Sequence, residues 1–212
     1  RSPKIKVIGV EPEGANCLQE SVKAGKVLTL DHVSTIADGT AVKTPGFRIF
    51  PYLQKNLDDI ITVPDEELVV AFLDMVENHK MVVENSGLLT VAALKHLDVK
   101  GKKIVSILSG GNMDVITMSS VVQQGLIMRD RIFTVSVLLP DKPGELSHVA
   151  DVIARQNGNV IKLEHNQFVS INRSAAVELR ITLEAFGTEH KKQIMEALEQ
   201  NGYQPKLVRT NI

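Results

Sequence analysis

One cysteine, Cys17, stands in 212 residues, so no disulfide forms within the chain. An excess of one charge is also missing: 24 Lys and Arg face 25 Asp and Glu, a formal net charge of −1. With no basic cluster, the sequence argues against a nucleic-acid partner. Long apolar runs are absent, and stretches such as 132–139 fall far short of a membrane span, so no membrane partner is expected. The amino end resembles no signal peptide. The six histidines, at 32, 79, 96, 148, 165 and 190, never fall at zinc-site spacing. No Ser/His/Asp or Cys/His arrangement can be read from their positions either. There is no internal repeat and no low-complexity tract. What is there, 43% hydrophobic and 23% charged residues, describes a soluble, cytoplasmic globular protein of one or two domains. The chain opens on Arg1-Ser2-Pro3-Lys4 with no initiator Met and runs straight into a strand pattern, which reads as the carboxyl-terminal piece of a longer protein.

The first 125 or so residues alternate β-branched runs with helical patterns. Residues 4–10 read as a strand, 14–24 as a helix and 59–63 as a strand. Pro64 opens a helix through His79, with Asp65, Glu66 and Glu67 against its positive end and Val69, Val70, Phe72, Leu73 and Val76 as its apolar face. Residues 87–97 read as a helix, 103–108 as a continuous apolar strand and 114–124 as a helix. Such strands between helices indicate a parallel sheet covered on both faces, an α/β fold. Residues 26–55 are the least regular, and long loops in a compact α/β unit are often functional.

After Arg129-Asp130-Arg131 the rhythm changes. A strand at 132–139, a turn at 141–144, a helix at 145–156 and a strand at 159–168 follow one another. A strand at 175–183, a helix at 189–201 and a strand at 203–208 complete the chain. The order βαββαβ is the ferredoxin-like, α+β arrangement. The boundary is placed near 125–130, giving domains 1–128 and 129–212.

Four short motifs carry possible chemistry. Ser109-Gly110-Gly111-Asn112 follows an apolar strand and precedes a helix, where ligands of α/β proteins bind. Its glycines let backbone approach a ligand and Ser109 offers a hydroxyl, although the same turn can be purely conformational. Glu84-Asn85-Ser86-Gly87 holds a similar position: Glu84 faces the same crevice, or Asn85 or Ser86 simply caps a helix. Glu11-Pro12-Glu13-Gly14-Ala15-Asn16-Cys17 could offer a hard cation oxygen ligands, yet such turns are more often acid-rich helix starts. Asp141-Lys142-Pro143-Gly144-Glu145-Leu146 opens a helix whose free N–H groups suit a carboxylate; capping by Asp141 with Pro143 in the first turn accounts for it equally. His165, beside Asn166 at the end of a strand, either reaches a ligand or is solvated.

In order and spacing, Val7-Ile8-Gly9-Val10-Glu11-Pro12, Ile36-Ala37-Asp38-Gly39, Val83-Glu84 with Ser86-Gly87, and Ser109-Gly110-Gly111-Asn112 resemble the carboxyl-terminal half of the catalytic domain of threonine ammonia-lyases (threonine dehydratases). The segment from Asp141 to Leu146 and its domain look like the ACT domain of the same enzymes. The resemblance covers essentially the whole chain. It implies part of a fold-type II pyridoxal-phosphate parallel-sheet domain followed by a ferredoxin-like ACT regulatory domain.

By the same resemblance, Ser109 would hydrogen-bond the pyridine nitrogen of pyridoxal 5′-phosphate, Gly110 would lie beside the ring, and Gly39 and Glu84 would line the cofactor face. Glu11 and Ala15 match two ligands of a divalent-cation site in racemase relatives; Cys17 stands where a third acid is usual, and a neutral thiol is a poor ligand for Mg²⁺. The lysine that joins the cofactor, and the glycine-rich phosphate loop, have no match here, so no catalytic residue is assigned and this chain is expected to be inactive alone.

The parent would convert L-threonine, and less well L-serine, to a 2-oxo acid and ammonia. An amino acid, with isoleucine as inhibitor and valine as antagonist, would bind at Asp141, Pro143, Gly144, Glu145 and His165. A homodimer or homotetramer is implied. Two other readings remain: an amino-acid-sensing ACT module without catalysis, and a serine racemase or related lyase of the same fold. Whether the natural reading frame continues upstream of Arg1 would separate the enzyme from the sensing module.

Overall fold

The computed structural model describes residues 5–166 and 177–211. The chain divides into two compact units, Arg1–Val122 and Gln123–Ile212. Among the described residues no helix is long and apolar enough to cross a membrane.

In the first unit, β1 (Ile8–Pro12) pairs in parallel with β2 (Asp59–Val63), Gly9 opposite Ile60 and Pro12 opposite Val63. Parallel pairing needs a long crossover, here residues 13–58. A 3₁₀ turn (Glu13–Ala15) leads into α1 (Cys17–Ala24), which stops at Gly25 with φ of 68°. Helix α2 (Phe50–Asn56) lies in the stretch read as irregular; Pro51 fixes its first turn and Phe50 is buried beneath it. Pro64, with extended backbone, precedes α3 (Asp65–Asp74), and the three acids do occupy its first turn. Asp65 has a further task, because its carboxylate accepts the Ile36 N–H at 2.9 Å and the Thr35 hydroxyl. The helix continues as a π-helical turn (Met75–His79) that ends at Lys80 in the left-handed region.

Residues 85–96 form two 3₁₀ turns around the short α4 (Leu89–Ala92), and α5 (Val115–Met128) closes the unit and crosses the division between the two. Leu68, Phe72, Leu88 and Val63, all fully buried, form the centre of its core.

Two strand expectations are revised here. Of the strand expected at 4–10, residue 4 lies outside the described residues, and the strand begins at Ile8 and runs on to Pro12, because Val7 exchanges hydrogen bonds with Asp58 just before the ladder starts. Residues 103–108 form no strand. Val105 and Ile107 are 89% and 71% exposed, and the segment is held by the Thr90 hydroxyl on the Ile107 carbonyl and by Ser106 on the Thr90 carbonyl. An apolar run becomes a strand only beside another strand, and none of the described residues supplies one to it.

The second unit follows the order expected for it. Strand β3 (Ile132–Leu139), α6 (Glu145–Arg155), β4 (Asn159–Asn166), β5 (Val177–Glu184), α7 (Thr188–Gln200) and β6 (Lys206–Val208) build one antiparallel sheet in the order β4-β5-β3-β6. The ends of two anticipated strands, at 167–168 and 175–176, lie outside the described residues. Alternation places Phe133, Val135, Val137 and Leu139 opposite Leu183, Ile181, Leu179 and Val177 on one face. With Val149, Val152 and Ile153 of α6 and Ile194 and Leu198 of α7 they make a single core. On the other face the Thr134 and Thr182 hydroxyls bond each other at 2.9 Å and Ser136 donates to Glu178 at 2.7 Å. Asp130 ties the entry of β3 to α7 by accepting from Lys191 at 2.7 Å and Thr188 at 2.8 Å.

Candidate functional site

Three segments of the first unit, far apart in sequence, meet around glycines. The first is the 3₁₀ turn Asp38–Thr40, whose foot is anchored: Thr40 N–H donates to the Ala37 carbonyl at 3.0 Å, and the Asn85 amide donates to the Ile36 carbonyl at 3.0 Å. The second is 84–87, where Gly87 N–H closes onto the Glu84 carbonyl at 2.9 Å. The third is Ser109-Gly110, joined to the second by Glu84 N–H on the Gly110 carbonyl at 3.2 Å.

Side chains are excluded at each junction. Gly110 has φ of 77°, and any Cβ there would fall inside the Glu84 carboxylate. A Cβ on Gly87 would fall on the Ser109 carbonyl oxygen. A Cβ on Gly39 would sit 2.9 Å from Ser86 Oγ and 3.5 Å from Glu84 Oε1. The result is a cradle floored by bare backbone, with the half-buried Glu84 carboxylate lying on Gly110 and the exposed Ser109 beside it. Among the described residues no side-chain partner holds either the Glu84 carboxylate or the Ser109 hydroxyl. A flat heterocycle fits such a floor: backbone without Cβ atoms admits its face, a hydroxyl is at hand for a ring nitrogen, and a carboxylate accepts from donors. Gly39, Glu84, Ser109 and Gly110 are therefore together in one place. Ser86 joins them, a residue that the sequence marked by resemblance but gave no role beyond a helix cap.

Glu11, Ala15 and Cys17 are arranged otherwise. Both Glu11 oxygens face the first turn of α1, accepting Leu18 N–H at 2.9 Å and Gln19 N–H at 2.8 Å. Burial pushes the Glu11 carboxyl above its ordinary range, against the pull of those two N–H groups. Cys17 is buried with its Sγ 4.0 Å from Glu11; burial and then the Glu11 charge raise its thiol. Ala15 is 1% exposed. Among the described residues no group of three His, Cys, Asp or Glu side chains is placed to hold a metal ion.

In the second unit, residues 141–144 form the exposed turn from β3 into α6. Gly144 precedes the helix with φ of 95°, and a Cβ there would meet open space. His165 sits on the edge strand β4 opposite Leu179, at the same end of the sheet as Leu139, which pairs with Val177. With β5 between them, His165 lies level with Val137, two strand spacings or roughly 10 Å away, and the turn lies further off, beyond the end of β3. Glu145 has company that the sequence did not suggest. The buried Tyr203 hydroxyl is 3.5 Å from the Glu145 carboxylate and 2.6 Å from His148 Nδ1, and burial followed by the Glu145 charge pushes its pKa above the ordinary phenol value. These residues lie more than fifty positions apart in the chain, and no local pattern pairs them.

The chain matches the family of pyridoxal-phosphate dependent enzymes over residues 1–110. It is 33% identical over 208 residues to an L-threonine ammonia-lyase of Thermotoga maritima, covering 98% of this chain and 52% of that protein. To an L-threonine ammonia-lyase of Geobacter sulfurreducens it is 35% identical, with 95% of this chain and 50% of the relative covered. The processed form of threonine deaminase isoform 2 from Solanum lycopersicum shares its fold with a TM-score of 0.55 and 31% identity, over 58% of this chain and 37% of that one. The chain thus spans about half the length of the curated relatives it matches. With 110 of 212 residues accounted for by one family, the chain belongs to the pyridoxal-phosphate dependent enzymes, and its first unit is part of their α/β fold-type II domain.

Proposed function

We propose that this chain serves a threonine ammonia-lyase, which converts L-threonine, and less well L-serine, to a 2-oxo acid and ammonia. The observation that carries the reading is the cradle: Gly39, Glu84, Ser109 and Gly110 meet in it, in a chain about a third identical to two L-threonine ammonia-lyases. When bound, pyridoxal 5′-phosphate supplies an electron-withdrawing ring that stabilises negative charge at the substrate's α-carbon. Ser109 would hold the ring nitrogen through a neutral hydroxyl, which leaves that nitrogen without a fixed proton. Gly110 and Gly39 would admit the ring face, and Glu84 would orient it from the side. The lysine that attaches the cofactor and moves the α-proton has no match among these residues. That lysine and the glycine-rich phosphate loop would lie in the further length that the relatives have, so the chain alone would hold the ring without turning over substrate.

The second unit is proposed to be an ACT-like regulatory domain of ferredoxin-like fold in a cytoplasmic homo-oligomer. Its element order and strand order support this, as does the open helix start at Gly144. Asp141, Pro143, Gly144, Glu145 and His165 would form the amino-acid site, with isoleucine and valine as first candidates.

Pyridoxine 5′-phosphate, which has no aldehyde to react with surface lysines, tests the cradle. Its ring fluorescence should titrate on wild type and weaken about fivefold in Ser109→Ala. A folded wild-type chain that leaves the probe unbound overturns the cofactor reading. Calorimetry with L-isoleucine and L-valine tests the second unit, with saturable heat expected and lost in Gly144→Leu.

A further inference from the structure

Among the described residues, two buried side-chain polar atoms have no hydrogen-bond partner: Asn85 Oδ1 and Ser86 Oγ. They belong to successive residues, immediately after Glu84. Buried polar groups are paired almost everywhere in native proteins, and an orphaned hydroxyl destabilises the state that contains it. For Asn85 the amide nitrogen is committed to the Ile36 carbonyl at 3.0 Å, which fixes the turn beneath Gly39. Ser86 has no such structural task. Its Oγ lies 2.9 Å from the point a Gly39 Cβ would occupy, and Glu84 Oε1 lies 3.5 Å from that same point. A donor without an acceptor and a carboxylate without a donor flank one bare glycine.

We propose that Ser86 is a positioning residue for Glu84: its hydroxyl donates a hydrogen bond to the Glu84 carboxylate once the cradle is filled. The carboxylate lies on Gly110. A ring seated over Gly110 would take that surface from it, and Gly39, approached by both Glu84 Oε1 and Ser86 Oγ, lies on the side of the unpaired hydroxyl. There the carboxylate meets that hydroxyl, and a charge-assisted bond fixes its orientation against the ring. Gly39 leaves room for that bond, since a methyl group there would crowd Ser86 Oγ at 2.9 Å and Glu84 Oε1 at 3.5 Å. This inference rests on the cofactor reading above, which it extends to a residue that touches no ligand.

The test uses the full chain and the variants Ser86→Ala, Ser86→Thr, Glu84→Ala and the double Glu84→Ala/Ser86→Ala. Without ligand, Ser86→Ala should melt no lower than wild type and about 2 °C higher if the whole penalty is relieved. A clear fall in melting temperature would reveal a structural partner and overturn the proposal. With pyridoxine 5′-phosphate, Ser86→Ala should bind about tenfold more weakly, Ser86→Thr should recover the affinity, and Ser86→Ala should add nothing in the Glu84→Ala background. Unchanged affinity in Ser86→Ala while Ser109→Ala is weakened overturns this inference alone. A wild-type chain without affinity overturns it together with the cofactor reading.

Discussion

The two units solve the same problem with different completeness. The second has four antiparallel strands, and both central strands bury their alternate residues under two helices. Among the described residues the first has a ladder of only two parallel strands, and its Val105, Ile107, Val115 and Ile116 are each at least 71% exposed. All four strands and both helices that cover them lie within some ninety residues, which suffice for a sheet with its own core. Parallel strands are stable when several are covered on both faces. The comparison teaches that apolar content does not measure how much of a core a segment can finish; topology does.

The sharpest way to break the comparison is at the centre of the second sheet. Leu179→Ala, at a fully buried position on β5, should lower stability by about 4 kcal/mol. Urea unfolding with hydrogen exchange on β3 and β5 amides reads it, and a loss below 1 kcal/mol would show that this core is less continuous than its packing indicates. Gly87→Ala is the first unit's counterpart. Its methyl group would fall on the Ser109 carbonyl, and the backbone shift it forces should cost about 3 kcal/mol and abolish pyridoxine 5′-phosphate binding.

A smaller effect separates the units by pH. The hydrogen bond from Lys191 holds the Asp130 carboxyl below the usual carboxylate range, with Thr188 adding to it. A depressed value means that the bridge stabilises fully above the ordinary carboxylate pKa, about 3.9, and is lost as pH falls through the lower folded value. Asp130→Asn should therefore lower the melting temperature at pH 7 and make little difference near pH 3. Equal losses at both values would refute the assignment. Smallest of all, Val105→Ser should change stability by less than about 0.5 kcal/mol, because the side chain already faces water.

The sequence made the second unit legible almost element by element. Its apolar run at 132–139 and its alternation after Val177 each found a partner strand within the same ninety residues. An equally apolar run at 103–108 found none, since a pattern states what a segment can pair with and not whether the pair is present. Gly39, Glu84, Ser109 and Gly110 were marked in advance by motif and resemblance. The Ser86–Gly39 approach was not, because it joins residues 47 positions apart through a contact that only tertiary structure creates. The two cap readings for the 84–87 segment also missed it: no side-chain cap bond forms there. Glu11 was legible as an acid near a helix start, but not as the acceptor for two of that helix's N–H groups.

That last feature bears on how the first unit assembles. An eight-residue helix is too short to persist by itself in water. Its first turn is secured by a carboxylate from the end of β1, only seven and eight residues upstream. Strand end and helix are therefore joined by a contact of short sequence separation, whereas pairing with β2 must close a loop of some fifty residues. Of the two, closure across 13–58 carries the larger entropic cost in building this ladder, and α1 is the part of that loop tied back to β1 locally.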